Sequence, residues 1–282
     1  MKPAKSSAIQ EERSSRATAA RTVGERIDGK LSQAYPGSVI EAVTFDVNRT
    51  LLHVPRLGAI YAEVLGRHGV ELDAEEAERL FSTVWQELAC SADPGHDRFS
   101  AHPEGEPGWW RRLLERMCEL RGAPPPSRFA AAELYHRFGT AEAYAVYPEV
   151  PAALARLRDE GLRLGVISNW DRRLPGVLAA LGLAPYFDAV VYSSRAGVEK
   201  PDGRIFHQAA AELGVAPAAV LHVGDGRLED VEGAVAAGMR ALHLVRGSGG
   251  GDLRDLSRLP ELVAAERAGR AGRQWAGRVL DF

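Results

Sequence analysis

The sequence predicts an α/β fold: a parallel sheet interrupted by one all-helical insert. Three observations predict it. Short β-branched runs ending near Asp, Ser or Gly alternate with amphipathic helices through the second half of the chain. One strand of the same kind stands apart, near residue 40. Between that strand and the others, residues 58–140 carry apolar positions at helical spacing and no convincing strand.

The elements follow in order. Residues 1–37 are rich in Ser, Ala, Arg and Glu, sustain no apolar period, and read as a disordered tail. Val39–Phe45 is a buried strand ending at Asp46. Tyr61, Val64, Leu65 and His68 mark one helix of the insert, and Leu80, Val84 and Leu88 a second. A Gly/Pro/His-rich stretch from Asp93 to Gly108 separates these from a helix that starts near Trp109 and runs through Leu120. Pro124-Pro125-Pro126 breaks the chain before a helix over Ala130–Phe138. Then come a helix Glu149–Glu160 stopped by Gly161, a strand Leu162–Ile167, and a helix capped by Asp171 that runs through Leu181. A strand Phe187–Tyr192, a helix Asp202–Leu213, a strand Val220–Val223, a helix Leu228–Ala237 and a strand Met239–Val245 complete the alternation. Gly247–Gly251 is a flexible turn, Leu253–Val263 a short helical stretch, and the last twenty residues read as peripheral.

Composition narrows the function. The chain has 282 residues, 45% hydrophobic and 26% charged, which is ordinary for one to two globular domains. A net charge of -3 argues against a nucleic-acid partner. No uncharged apolar run reaches the roughly 18 residues of a membrane span, and the N-terminal stretch has no apolar core for a secretory signal. Two cysteines, Cys90 and Cys118, exclude a disulfide framework and fit a reducing, cytoplasmic setting. Nothing speaks for one oligomeric state.

In open α/β sheets ligands bind beyond the carboxyl ends of the strands. The first strand delivers Asp46-Val47-Asn48-Arg49-Thr50 and the second Ser168-Asn169. The third leads through Ser193-Ser194 to Lys200-Pro201-Asp202, and the fourth delivers Gly224-Asp225 and then Asp230. Taken singly, each has a plainer reading: a helix cap, a turn residue, a solvated charge, an acid complementing a helix dipole. Together, carboxylates, a hydroxyl, an amide and an ammonium on one sheet edge suit a divalent metal and an anionic group.

Four segments carry a family resemblance: TFDVNRTLL, VISNWDRRL, SSRAGVEKPDGRIF and HVGDGRLEDVEGAVAAGM. On these, the chain resembles the haloacid dehalogenase superfamily from about Val43 to Val245. ISNWDRRL and the Trp109-Trp110 pair point to one branch within it. The resemblance implies a Rossmann-like core of residues 38–55 and 141–250, an inserted helical cap at 56–140, and a C-terminal helical tail at 251–282. It implies Asp46 as a nucleophile forming an acyl phosphate on a small phosphorylated compound. Mg²⁺ would sit on Asp46, the main-chain carbonyl of Asn48, and Asp225. Ser168, the backbone amide at Asn169, and Lys200 would hold phosphate oxygens. Thr50 would hydrogen-bond within its loop, and Asp230 would orient Lys200 or a metal-bound water.

Two positions depart from the pattern. Phosphatases of the superfamily usually carry a second Asp, the general acid, where this chain has Asn48, and a Gly where it has Arg49. An amide cannot protonate a leaving group, and losing a positioned acid costs about 10²–10⁴-fold. Three readings stay open: a weak or specialised Mg²⁺-dependent phosphatase, a catalytically impaired binding protein, and a metal-free dehalogenase. The last disagrees with the presence of Asp225.

Other residues invite a role. The cap hinges would lie near Pro55–Gly58 and Gly139–Pro148, with His53, Arg56, Trp109, Arg111 and Arg112 as candidate substrate contacts. Adjacent helical side chains point about 100° apart, so Trp109 and Trp110 cannot line one face, and Arg111 and Arg112 read more simply as a solvated face. His96 and His102 with Asp93 and Asp97 match no zinc spacing. Ser168 with His207 or His222 lacks a nucleophile elbow, and Gly224-Asp225-Gly226 lacks the third Gly of a dinucleotide motif.

Overall fold

The structure, a computed structural model, describes residues 38–90, 95–247 and 250–276. The expected tail at 1–37 and Asp93 lie outside the described residues. Strand β1 (Ala42–Phe45) leads through a turn to the two-residue strand β2 (Leu52–His53). Helices α1 (Leu57–Arg67), α2 (Ala74–Cys90), α3 (Gly105–Arg121) and α4 (Arg128–Arg137) follow. Strand β3 (Ala145–Val146) returns antiparallel to β2. Next come α5 (Val150–Asp159), β4 (Arg163–Ser168), α6 (Leu174–Ala180), β5 (Ala189–Tyr192) and α7 (Ser193–Ala196). The chain continues with α8 (Gly203–Leu213), β6 (Val220–Gly224), α9 (Gly233–Ala236), β7 (Arg240–His243) and α10 (Leu259–Ala276).

The main sheet is parallel, in the order β5-β4-β1-β6-β7. The chain steps outward from β1 through β4 to β5, then returns to the other side of β1 with β6. This reversal opens a crevice at the carboxyl ends beside β1, where such sheets bind ligands. Alternate residues of each strand serve opposite faces. Val43, Phe45, Leu164, Val166, Leu221 and Val223 pack with α5, α6 and the start of α10. Ala42, Ile167 and Val191 pack against Ile205, Phe206 and Ala209 of α8. Helices therefore cover both faces, the α/β arrangement that the strand–helix alternation predicts.

Helices α1–α4 enclose a separate apolar core. Ile60, Tyr61, Val64 and Leu65 of α1 meet Leu113, Leu114 and Met117 of α3 there, together with Leu134 of α4. Cys118 is buried in the same cluster. Tyr144 packs on both this cluster and the sheet core. Among the described residues, no helix is long and apolar enough to cross a membrane.

Four elements differ from expectation. Helix α3 begins at Gly105, before Trp109, with Pro107 inside its first turn, where backbone N–H groups have no intrahelical partner to lose. Helix α6 begins at Leu174, three residues past Asp171, whose carboxylate accepts from the Arg173 amide and from the Trp110 and Arg173 side chains. The helix expected over Leu228–Ala237 opens instead as a π-helical stretch, Arg227–Glu232, before α9. At the C-terminus Leu256, Leu259, Leu262 and Val263 enter the sheet core, so the start of α10 is integral to it.

Candidate active site

Asp46 is the first residue past β1, and its amide donates to Val223 O (2.9 Å) on β6. That bond continues the sheet by one step and fixes the carboxylate at the crevice. Asp46 is buried, and its Oδ1 accepts from Ser168 Oγ (3.0 Å) and Lys200 Nζ (2.8 Å). Ser168 ends β4, the neighbour of β1 on the other side. Lys200 reaches the site from the loop between α7 and α8 and also donates to Asp230 Oδ1.

Asp230 is held from three sides. Its Oδ2 accepts from the Gly226 amide (2.7 Å), and its Oδ1 faces both Lys200 and His222 Nε2 (3.2 Å). The other ring nitrogen of His222 meets Thr44 Oγ1 at 3.0 Å, and the two residues are register partners across β1 and β6. The π-helical stretch and a glycine make this packing possible. A Cβ at Gly224 would lie 2.2 Å from Asp230 Cγ, so only Gly fits beneath that carboxylate.

Asp225 completes the cluster. One carboxylate oxygen from each of Asp46, Asp225 and Asp230 lies within 4.8 Å of the others. Burial and the neighbouring negative charge of Asp46 push the Asp225 carboxyl up to about 7, although Arg49 opposes the shift. Burial likewise raises Asp46, against the pull of Lys200. Burial disfavours the Lys200 charge, yet Asp230 and Asp46 outweigh it and hold its pKa above the usual lysine value. Burial would raise Asp230, but Lys200 and His222 hold it below the ordinary carboxylate range. Burial lowers His222, which is therefore neutral at pH 7.

Three carboxylates thus face one buried ammonium, and the excess negative charge with hard oxygen donors fits a magnesium-like dication. Asp46, Asp225 and Asp230 are the carboxylates near enough to one another to share such an ion. Asp230 is committed to Lys200, His222 and the Gly226 amide.

The departing residues sit at the rim. Asn48 is exposed. Arg49 adopts φ 61, in the left-handed region that a β-carbon disfavours, and its Nε lies 3.3 Å from Asp225 Oδ2 with the side chain 74% exposed. Arg246 clamps this turn. It donates to Arg49 O (3.1 Å), Thr50 O (2.7 Å) and Glu149 Oε1 (2.8 Å), and it stands 3.3 Å above the Tyr147 ring centre. Sequence reasoning missed Arg246, and it weighed His222 only as a triad partner of Ser168. The strand-end rule reaches the first, three residues past β7, while the second is visible only through the register of β1 against β6.

One expectation needs correcting. Thr50 makes no side-chain hydrogen bond within its loop; its Oγ1 is buried without a partner among the protein groups. The Asn169 side chain fastens the Lys200 backbone at both ends: Nδ2 donates to Lys200 O (3.0 Å), and Oδ1 accepts from Lys200 N (2.7 Å).

Three of the candidate substrate contacts, Trp109, Arg111 and Arg112, have their partners within the insert itself. Trp109 is inside the insert's own core. Arg111 pairs with Glu104 and Glu115, and Arg112 with Glu119, as a solvated face. Arg56 is exposed at the start of α1, and His53 stacks on Tyr147 with centroids 4.6 Å apart. His102 Nδ1 accepts from the Glu104 amide, and Asp97 accepts from the Ser100 amide. Among the described residues neither belongs to a metal-binding cluster.

A buried aspartate after the first strand of a parallel sheet, beside a serine, a lysine and a second acidic loop, defines a hydrolase of the haloacid dehalogenase type. The chain belongs to that family: its model, haloacid dehalogenase-like hydrolase, matches residues 40–238. Over 209 residues the chain is 35% identical to haloacid dehalogenase-like hydrolase domain-containing protein 3 of Homo sapiens, covering 73% of this chain and 82% of that protein. This is the branch that ISNWDRRL and Trp109-Trp110 mark. It is also 32% identical over 222 residues to a glyceraldehyde 3-phosphate phosphatase of Methanopyrus kandleri, covering 74% and 85% of the two chains. Among solved structures, a magnesium-bound hydrolase of the superfamily from Bacillus subtilis superposes with a TM-score of 0.67 at 16% identity, over 80% of this chain and all of that one. That likeness concerns the fold.

Proposed function

We propose that the protein is a Mg²⁺-dependent phosphatase acting on a small phosphorylated compound through an aspartyl-phosphate on Asp46. The observation that carries this reading is the buried Asp46 carboxylate, gripped by Ser168 and Lys200, with an oxygen of Asp225 within 4.8 Å of one of its own. Asp46 attacks phosphorus, the bond to the leaving oxygen breaks, and water then hydrolyses the acyl phosphate. Lys200 and Ser168 orient the nucleophile and meet charge on the phosphoryl oxygens. Bound Mg²⁺ would rest on Asp46, Asp225 and the Asn48 carbonyl and offset the repulsion between carboxylate and phosphate.

Asn48 offers no proton to the leaving group. The site therefore favours aryl and acyl phosphates, whose leaving groups depart as stable anions. The test is turnover of an aryl phosphate with Mg²⁺. Asp46→Asn should abolish it, and residual turnover in that variant would remove Asp46 as nucleophile. Asn48→Asp should speed alkyl-phosphate hydrolysis by about 10²–10⁴-fold.

A second reading, a binding protein with an impaired site, draws on the Arg49–Asp225 pair, in which a cation of the chain itself occupies one proposed metal ligand. It predicts that neither the wild type nor Asn48→Asp turns over, while inorganic phosphate still binds.

A further inference from the structure

The two marks of the branch, Trp109-Trp110 in the insert and ISNWDRRL after β4, meet in space. Trp110 Nε1 donates to Asp171 Oδ2 at 2.6 Å. Asp171 is wholly buried, and the Arg173 guanidinium forks onto the same carboxylate, Nε to Oδ1 at 2.9 Å and Nη2 to Oδ2 at 2.5 Å. Arg173 also stands over the rings of Trp110 (5.0 Å) and Tyr135 (4.0 Å) and donates to the Tyr135 carbonyl. Helices α3 and α4 are thus pinned to one core loop.

That loop begins with Ser168 on Asp46 and Asn169 on the Lys200 backbone. A second tie reaches the other side of the site. Arg98 of the insert makes a two-pronged bond to Glu199, the residue before Lys200, at 2.6 and 3.0 Å, and both side chains are largely buried. Each tie lands beside a residue that grips Asp46.

We infer that Trp110, Asp171 and Arg173 are positioning residues: they form a clasp that sets where the helical insert stands relative to Asp46, through the loop that also orients Ser168 and Lys200. A hydrogen bond to a buried charge is strong enough that its loss opens such a contact measurably. The clasp itself does not depend on the reaction; its kinetic consequence rests on the phosphatase reading.

The test uses the full chain carrying Trp110→Phe, which keeps a ring over Arg173 and removes the N–H donor. Amide hydrogen exchange should accelerate about tenfold over residues 105–121 and 169–175 while β1 and β6 are unchanged. With an aryl phosphate and Mg²⁺, kcat/KM should fall about tenfold, chiefly through KM, whereas Arg121→Ala on α3 changes neither. Unchanged exchange, or acceleration shared equally by the sheet, would overturn the clasp. If Trp110→Phe does not fold, Arg173→Lys, which keeps the charge but loses the two-pronged grip on Asp171, must give the same localised pattern or the inference fails. Wild-type protein inert toward the aryl phosphate would count against the phosphatase reading alone, because the exchange result still decides the clasp.

Discussion

Replacing Lys200 with Met would leave Asp46 and Asp230 buried with no ammonium between them. Breaking a buried pair by removing one partner costs about 3–5 kcal/mol, because the remaining charge keeps its desolvation penalty. Denaturant unfolding of Lys200→Met without metal should show a loss of that size; a loss below about 1 kcal/mol would mean the carboxylates are not charged together. Asp225 gives a pH signature. Its pKa stands near 7 in the metal-free fold against an ordinary 3.8, so the folded state holds the proton more tightly than the unfolded chain. That contribution to stability is fully present below about pH 4 and is lost as pH rises toward 7. Mg²⁺ at the proposed site would need the carboxylate, so its binding should tighten over the same rise. Melting temperatures with a chelator should fall from pH 5 to 8, and the increment on adding Mg²⁺ should grow.

At the scale of elements, strand ends and the starts of α5 and α8 were legible, whereas the starts of α3 and α6 were not. The β-branched runs before Asp46, Ser168 and Gly224-Asp225 stop where the sheet stops, because a buried strand admits few polar residues. Pro107 concealed the start of α3, since a proline is tolerated in a first turn but reads as a break. Strands β2 and β3, two residues each, are too short to carry a period. Leu253–Val263 read only as a short helical stretch because its apolar positions are few, yet Leu259 is fully buried among the sheet core. Leu259→Ala should therefore cost about 2–5 kcal/mol by chemical denaturation, the range for a truncated core leucine; a neutral result would make this helix dispensable.

Over the whole molecule, the sequence by itself determined the alternation of strand and helix, the helical insert, and the order in which Asp46, Ser168, Lys200 and Asp225 reach one sheet edge. These follow from local periodicity and from the rule that parallel strands present their carboxyl ends together. Only the tertiary structure decided which polar groups spend their bonds on one another. Asn169 holds the Lys200 backbone, Thr50 is left unpartnered, His222 steadies Asp230 from the adjacent strand, and Trp110 crosses to Asp171. Such pairings join residues 8 to 61 positions apart, and a hydrogen bond is won by the groups that folding brings within about 3 Å, a distance that no local pattern encodes.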